Sequence, residues 1–165
     1  MNVYVLDTSA LINGFNPQII EGEHYITPNV LLELSKSKLK DFIDLCISLG
    51  NLKLRSPKNE SLEIIKQKAN MSGDLIVLSE TDLSIIALAF ELKNEGKEPI
   101  IISDDYSLQN VCSILSLKFK SMITKGIKEK FSWLIYCPAC GATYDSSEKI
   151  CKICGHYLKR KVYRK

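Results

Sequence analysis

Histidine is scarce in this chain: His24 and His156 are the only two among 165 residues. Any chemistry here therefore has to run without a set of imidazoles. Long apolar runs are missing too. None approaches the ~20 residues that span a bilayer, which excludes a membrane-spanning helix. There is no internal repeat and no low-complexity tract. No signal peptide precedes the first apolar run, so a reducing, cytoplasmic setting is expected. What remains is 45% hydrophobic and 25% charged, the make-up of a soluble globular protein. The length suits one ordinary domain with a small appendage.

Four of the six cysteines fall near the C-terminus, as Cys137-Pro-Ala-Cys140 and Cys151-Lys-Ile-Cys154, each pair followed by a glycine, Gly141 or Gly155. Two CxxC knuckles about ten residues apart deliver four thiolates to one closed tetrahedral site, the pattern of a zinc ribbon. Glycine after each knuckle lets the backbone turn with positive φ, so that amides point at the sulfurs. The competing readings are a pair of disulfides or CxxC redox chemistry. With four protein ligands such a zinc keeps no open position, so catalysis would lie elsewhere. Cys46 and Cys112 sit in apolar helical patterns and read as reduced core residues.

The formal net charge of +3 hides an asymmetry. Residues 1–117 carry 10 Lys/Arg against 16 Asp/Glu, a net of −6. Residues 118–165 carry 12 against 3, a net of +9. An acidic body with a basic tail suggests a polyanion held by one part and presented to the other. A merely solvated small module is the plainer alternative.

Asn2–Leu6 is a short apolar run that ends in Asp7-Thr8-Ser9, a buried strand giving way to a helix near Thr8. Thr27-Pro28 reads as an N-cap followed by proline at the first helical position. The spacing predicts helices over 38–49, 59–71 and from about Ser79 to Asn94, closed by Gly50, Gly73 and Gly96. Pro99–Ile102 is the most buried-looking strand, and it runs into Ser103-Asp104-Asp105 and another helix. Short strands alternating with helices predict an α/β fold with a central parallel sheet covered on both faces. The expected division is a body over 1–125, a linker over 126–133, and a ribbon with basic tail over 134–165.

The acids fall at telling places in that scheme. Asp7 and the Asp104/Asp105 pair lie at the carboxyl ends of strands, where open α/β sheets bind ligands. Asp82 sits in the first turn of a helix, and Glu33 stands among apolar neighbours in Leu31-Leu32-Glu33-Leu34. Converging carboxylates repel one another, and hard cations such as Mg²⁺ or Mn²⁺ relieve that repulsion. One or two such ions hydrolyse phosphodiesters without help from histidine. Each acid also has a structural reading: Asp7, Asp104 or Asp105 as a helix cap, Asp82 as a first-turn acid, Glu33 on a solvated edge.

Four short motifs in order, Val5-Leu-Asp7-Thr-Ser9, Val30-Leu-Leu-Glu33-Leu, Glu80-Thr-Asp82-Leu-Ser-Ile-Ile-Ala87 and Ile102-Ser-Asp104-Asp105-Tyr106, resemble a PIN domain over about residues 1–125. The resemblance implies an α/β/α sandwich and an Mg²⁺- or Mn²⁺-dependent endoribonuclease acting on single strands. It implies Asp7, Glu33, Asp82 and one or both of Asp104 and Asp105 as site acids, with Asp7, Asp82, Asp104 and Asp105 on the metal. Thr8 and Ser9 match the small hydroxyl residues that help position water or phosphate.

A PIN domain joined to a C-terminal ribbon resembles the Nob family, whose members mature the 3′ end of small-subunit ribosomal RNA, and the short chain looks like an archaeal member. That likeness implies precursor rRNA in a pre-ribosomal particle as substrate, with ribosome assembly factors as partners. The ribbon and tail, Lys159, Arg160, Lys161, Arg164 and Lys165, would anchor the RNA backbone, with Lys128 and Lys130 extending the track. Tyr144, Tyr157 and Tyr163 are either stacking platforms or the ribbon's small core. The alternatives are a toxin-type PIN ribonuclease on transfer or messenger RNA, and a non-catalytic RNA-binding assembly factor.

Overall fold

The computed structural model describes residues 2–73, 77–122, 132–144 and 148–163. Lys125, Lys128, Lys130, Arg164 and Lys165, and residues 126–131 of the expected linker, lie outside the described residues.

The body alternates strand and helix: β1 (Val3–Leu6), α1 (Thr8–Ile12), β2 (Glu23–Ile26), α2 (Pro28–Leu34), α3 (Lys40–Ser48), β3 (Lys53–Leu54), α4 (Asn59–Ser72), α5 (Glu80–Asn94), β4 (Pro99–Ile102), α6 (Tyr106–Ile114) and β5 (Lys118–Lys120). The five strands form one parallel sheet in the order β3-β2-β1-β4-β5. All four residues of β1 are buried, as a central strand packed on both faces requires. In α5 ten of fifteen residues are buried, so it is an interior helix rather than one with a single apolar stripe. Leu6, Ile26, Val30, Ile43, Ile65, Ile86, Leu88 and Leu108 meet in the core with the fully buried Cys46 and Cys112.

Capping residues set the helix starts. Thr27 accepts from the Val30 N–H, and Ser79 with Asp82 forms a reciprocal capping box on α5. The chain builds β1, β2 and β3 outward in one direction and then places β4 and β5 on the other side of β1. The order reverses between β1 and β4. Connections diverge there, and a crevice opens beyond the carboxyl ends of those two strands.

The C-terminal part is a separate antiparallel sheet, β7-β6-β8, from β6 (Ser132–Tyr136), β7 (Thr143–Tyr144) and β8 (Lys159–Tyr163). The expected boundary at 133/134 falls inside β6.

One polar group in the core has a consequence for acid stability. His24, 2% exposed, stacks on Tyr4 with Phe15 edge-on, and its Nδ1 lies 3.2 Å from the Asn51 carbonyl. Among the described residues, its Nε2 has no hydrogen-bond partner. Burial pushes the imidazole below its ordinary value of 6.5, with the Asn51 carbonyl pulling the other way. The unfolded chain therefore binds this proton more readily than the native one. Stability is expected to fall as pH drops below about 6.5, and replacing His24 by Phe should flatten that decline in acid melts.

Candidate functional site

At the crevice, Leu6 and Ile102 are paired across β1 and β4, so the residues that follow them, Asp7 and Ser103, stand side by side. Asp7 is 7% exposed and capped on both oxygens. Oδ1 accepts the Thr8 N–H at 2.7 Å, and Oδ2 accepts the hydroxyls of Ser9 at 2.6 Å and Ser103 at 2.8 Å. The same two hydroxyls take the backbone amides of the acid pair: Asp105 N–H donates to Ser103 Oγ at 3.1 Å, and Asp104 N–H to Ser9 Oγ at 3.3 Å. Ser103 is fully buried and its carbonyl accepts from the buried Gln109 Nε2 at 2.8 Å. A relay of hydroxyls thus sets Asp7 and the 104–105 turn against one another.

Asp82 comes to this place from the start of α5. Its Oδ2 accepts the Ser79 N–H and hydroxyl, both at 2.7 Å. Burial raises its carboxyl above the usual range; the Ser79 bonds oppose the rise, and the charges of Asp105 and Asp7 add to it. Two acids remote in sequence thus act on a third. Among the described residues, Oδ1 of Asp82 and Oδ2 of Asp105 accept no protein hydrogen bond, whereas Asp105 Oδ1 caps α6 through the Ser107 and Leu108 amides at 2.6 and 3.1 Å. Oxygen donors alone, negative in excess and partly unsatisfied, suit a hard divalent cation and no soft one. The carboxylates stand further apart than the cysteines, which among the described residues form the one set of three or more ligand groups with all its atoms within 4.8 Å.

Glu33 is exposed on α2 and held at both oxygens. Thr8 Oγ1 donates to Oε2, and Thr81 Oγ1 donates to Oε1 at 2.5 Å. Thr8 therefore joins Glu33 to the turn that carries Asp7, and Thr81 joins it to the turn that carries Asp82. Thr81, Ser103 and Gln109 were not candidates by sequence, because a buried hydroxyl or amide in an apolar run reads as core. The one available signal was the position of Ser103 between a strand end and two acids.

The cysteines make the second centre. The Sγ–Sγ separations are 3.3 Å for Cys137–Cys154 and 3.5 Å for Cys140–Cys151, too long for a disulfide. They approach the ~3.8 Å edge of a tetrahedron with metal–sulfur bonds of about 2.3 Å. Each knuckle repeats one design. Cys137 N–H donates to the Ala142 carbonyl and Gly141 N–H to Cys137, while Cys151 N–H donates to His156 and Gly155 N–H to Cys151. Gly141 and Gly155 have φ of +77° and +73°. The amides of Cys140 and Ala139 point at the Cys137 sulfur and hold its thiol down. The Tyr144 hydroxyl, 3.0 Å from the Cys151 sulfur, is foremost in holding that thiol at about 6, helped by the Cys154 and Ile153 amides. Those two thiols lean toward the thiolate, whereas Cys140 and Cys154, against the pull of the Ala142 and His156 amides, are pushed up by burial and by the neighbouring sulfurs. Tyr144 is thereby part of the ribbon's framework, whereas Tyr157 is 77% exposed and the Tyr163 side chain lies outside the described residues.

Lys159 and Lys161 are exposed on β8 beside Arg160, and the Lys161 ammonium lies 5.2 Å from the Tyr136 ring centroid. A cavity of about 700 Å³ opens at the opposite, amino-terminal rim of the body sheet, between Asn2, Glu21, Lys97 and Lys118. Most of its charges are paired, Lys97 with Glu23 at 3.0 Å and Lys118 with Glu98 at 2.6 Å. No helix among the described residues is long and apolar enough to cross a membrane.

A family model described as the PIN domain of ribonuclease matches residues 4–92. The chain is 37% identical over 166 residues to Endoribonuclease Nob1 of Methanocaldococcus jannaschii, covering 99% of this chain and 80% of that protein. It is 37% identical over 158 residues to Ribonuclease VapC1 of Thermoplasma acidophilum, covering 96% and 77%. A shorter stretch of 69 residues is 38% identical to the 20S-pre-rRNA D-site endonuclease NOB1 of Saccharomyces cerevisiae, covering 42% of this chain and 15% of that protein.

Proposed function

The chain belongs to the PIN-domain family of ribonucleases, and from that premise we propose that it is a divalent-metal-dependent endoribonuclease that trims precursor ribosomal RNA at the 3′ end of the small-subunit sequence. The observation that carries the reading is the placement of three acids at one crevice: Asp7 and Asp105, tied together through Ser103 at the carboxyl ends of β1 and β4, and Asp82 at the start of α5, whose carboxyl is raised by burial and further by the charges of Asp105 and Asp7. Asp7, Asp82 and Asp105 would hold the cation. A bound Mg²⁺ or Mn²⁺ would supply an activated water and neutralise charge building on the phosphate. Ser9, Ser103 and Thr8 fix the acids through their hydroxyls. Glu33, braced by Thr8 and Thr81, adds a fourth carboxylate beside these three.

Zinc in the cysteine tetrad shapes the ribbon and takes no part in the chemistry. Lys159, Arg160 and Lys161, with the tail residues Arg164 and Lys165, give the RNA backbone the basic surface that the acidic body lacks. Endoribonuclease activity is supported by the name of the Methanocaldococcus relative, and the precursor-rRNA substrate by that of the Saccharomyces relative. The Thermoplasma relative supports a second reading, a toxin-type ribonuclease.

One experiment addresses both. The full chain is incubated with Mn²⁺ and an RNA spanning the 3′ end of small-subunit rRNA, and the cut ends are mapped. A chelator-sensitive cut at one position near that end, leaving a 5′-phosphate and a 3′-hydroxyl, is expected. Cuts in transfer or messenger RNA with none at the rRNA end would favour the toxin-type reading, and no cuts at all would leave an RNA-binding factor.

A further inference from the structure

The adjacent acids Asp104 and Asp105 do different work. Asp105 caps α6 through one oxygen, keeps the other without a protein donor, and adds its charge at Asp82. Asp104 points elsewhere. Its Oδ2 accepts Asn13 Nδ2 at 3.1 Å, and its Oδ1 accepts the Met122 N–H at 3.0 Å together with the Ser121 hydroxyl. Asn13 is the C-cap of α1, and Ser121 and Met122 directly follow β5, the last strand of the body sheet. One carboxylate thus gathers donors from two segments, the end of the first helix and the stretch by which the chain leaves the body, and ties both to the acid turn that carries it.

Resting on the nuclease reading above, in which Asp105 holds the metal, we propose that its neighbour Asp104 is a positioning residue, a clasp that fastens the root of the basic C-terminal stretch beside the acid site. Two physical reasons support this division. A carboxylate that already accepts three donors has less capacity for a cation than one with an oxygen open. The clasp also falls where the chain changes character, from a net of −6 over residues 1–117 to +9 over residues 118–165. Holding Ser121 and Met122 to the acid turn fixes the point from which the positive stretch sets out. A phosphate backbone following that stretch then arrives next to Asp105 and Asp82 rather than elsewhere on an acidic surface that repels it.

Asparagine separates the two roles, because it removes charge and keeps shape. In Asp104→Asn the side-chain oxygen still accepts from Met122 and Ser121, and Asn13 accepts from the new amide by turning its own. In Asp105→Asn the cap on α6 survives while the metal loses a charged ligand. The full chain is compared as wild type, D104N, D104A and D105N by Mn²⁺ titration, RNA cleavage and amide exchange at Met122.

D105N is expected to lose Mn²⁺ affinity and cleavage by about 100-fold. D104N should stay within about threefold of wild type in all three measurements. D104A should keep its Mn²⁺ affinity, exchange the Met122 amide about five- to tenfold faster, and raise KM for RNA more than it lowers kcat. A D104N chain that loses Mn²⁺ binding as D105N does would overturn the division while leaving the nuclease reading intact. Unchanged exchange at Met122 in D104A would dismiss the clasp. A wild-type chain that binds no Mn²⁺ would sink the nuclease reading and this proposal with it.

Discussion

Replacing Asp7 by Asn lowers cleavage by about 1000-fold, or roughly 4 kcal/mol of transition-state stabilisation, and leaves RNA affinity within about twofold. The effect is large because Asp7 is central to the site. It sits at the end of β1, takes hydroxyls from Ser9 and Ser103, and reaches Asp82 with its charge. Removing that charge removes part of the field that draws in a cation. RNA affinity survives, because a buried carboxylate gives a polyanion nothing to hold and its loss makes the body less repulsive.

Stability should fall by about 1–2 kcal/mol, because the amide group that replaces one oxygen meets the Ser9 and Ser103 hydroxyls that donate to it. Asparagine keeps an oxygen for the Thr8 amide and so preserves the cap of α1. It also relieves Asp82, whose raised carboxyl means that ionisation there opposes folding at neutral pH. Cleavage rates, RNA binding and melting of the purified variant check this together. Retention of full cleavage rejects the site, and a collapse of the melting temperature assigns Asp7 to structure instead.

Removing the metal from the cysteine tetrad unfolds the ribbon and spares the body. The ribbon has little else to stand on: its buried hydrophobic residues among the described ones are Ile135, Cys137 and Cys151, and β7 is two residues long. Three buried side chains do not offset the conformational entropy of some thirty ordered residues. Structural zinc in small modules contributes about 10–16 kcal/mol, which closes that gap. Chelation at neutral pH, or Cys151→Ser, is therefore expected to collapse the amide resonances of β6, β7 and β8 while those of β1 and β4 keep their positions. One zinc per chain should be released. Cobalt in its place should show the absorption bands of a tetrahedral tetrathiolate site. A ribbon spectrum indifferent to chelator would refute the assignment.

Much of this was written locally in the chain. The alternation of short apolar runs with helical spacing yields a parallel sheet because each strand must bury both faces, and β1 and β4 are buried accordingly. Thr27-Pro28 and Ser79-x-x-Asp82 start helices where such residues must, since unpaired amides at a helix start need an acceptor nearby. The knuckles were legible for the same reason: two residues of spacer and a glycine fix the positions of two sulfurs with no help from the rest of the molecule.

What the acids do was decided only in three dimensions. Ser103 meets Asp7 across 96 positions of sequence, and Thr81 meets Glu33 across 48. No local spacing encodes which hydroxyl finds which carboxylate. Asp104 and Asp105 show this most plainly: neighbours in the turn between β4 and α6, Asp104 is bonded to Met122 while Asp105 caps α6 and adds its charge at Asp82. The sequence determines which elements form and which charges each one carries. Packing the elements together decides which of those charges must share a crevice, because that depends on the order of strands in the sheet and not on the order of residues in the chain.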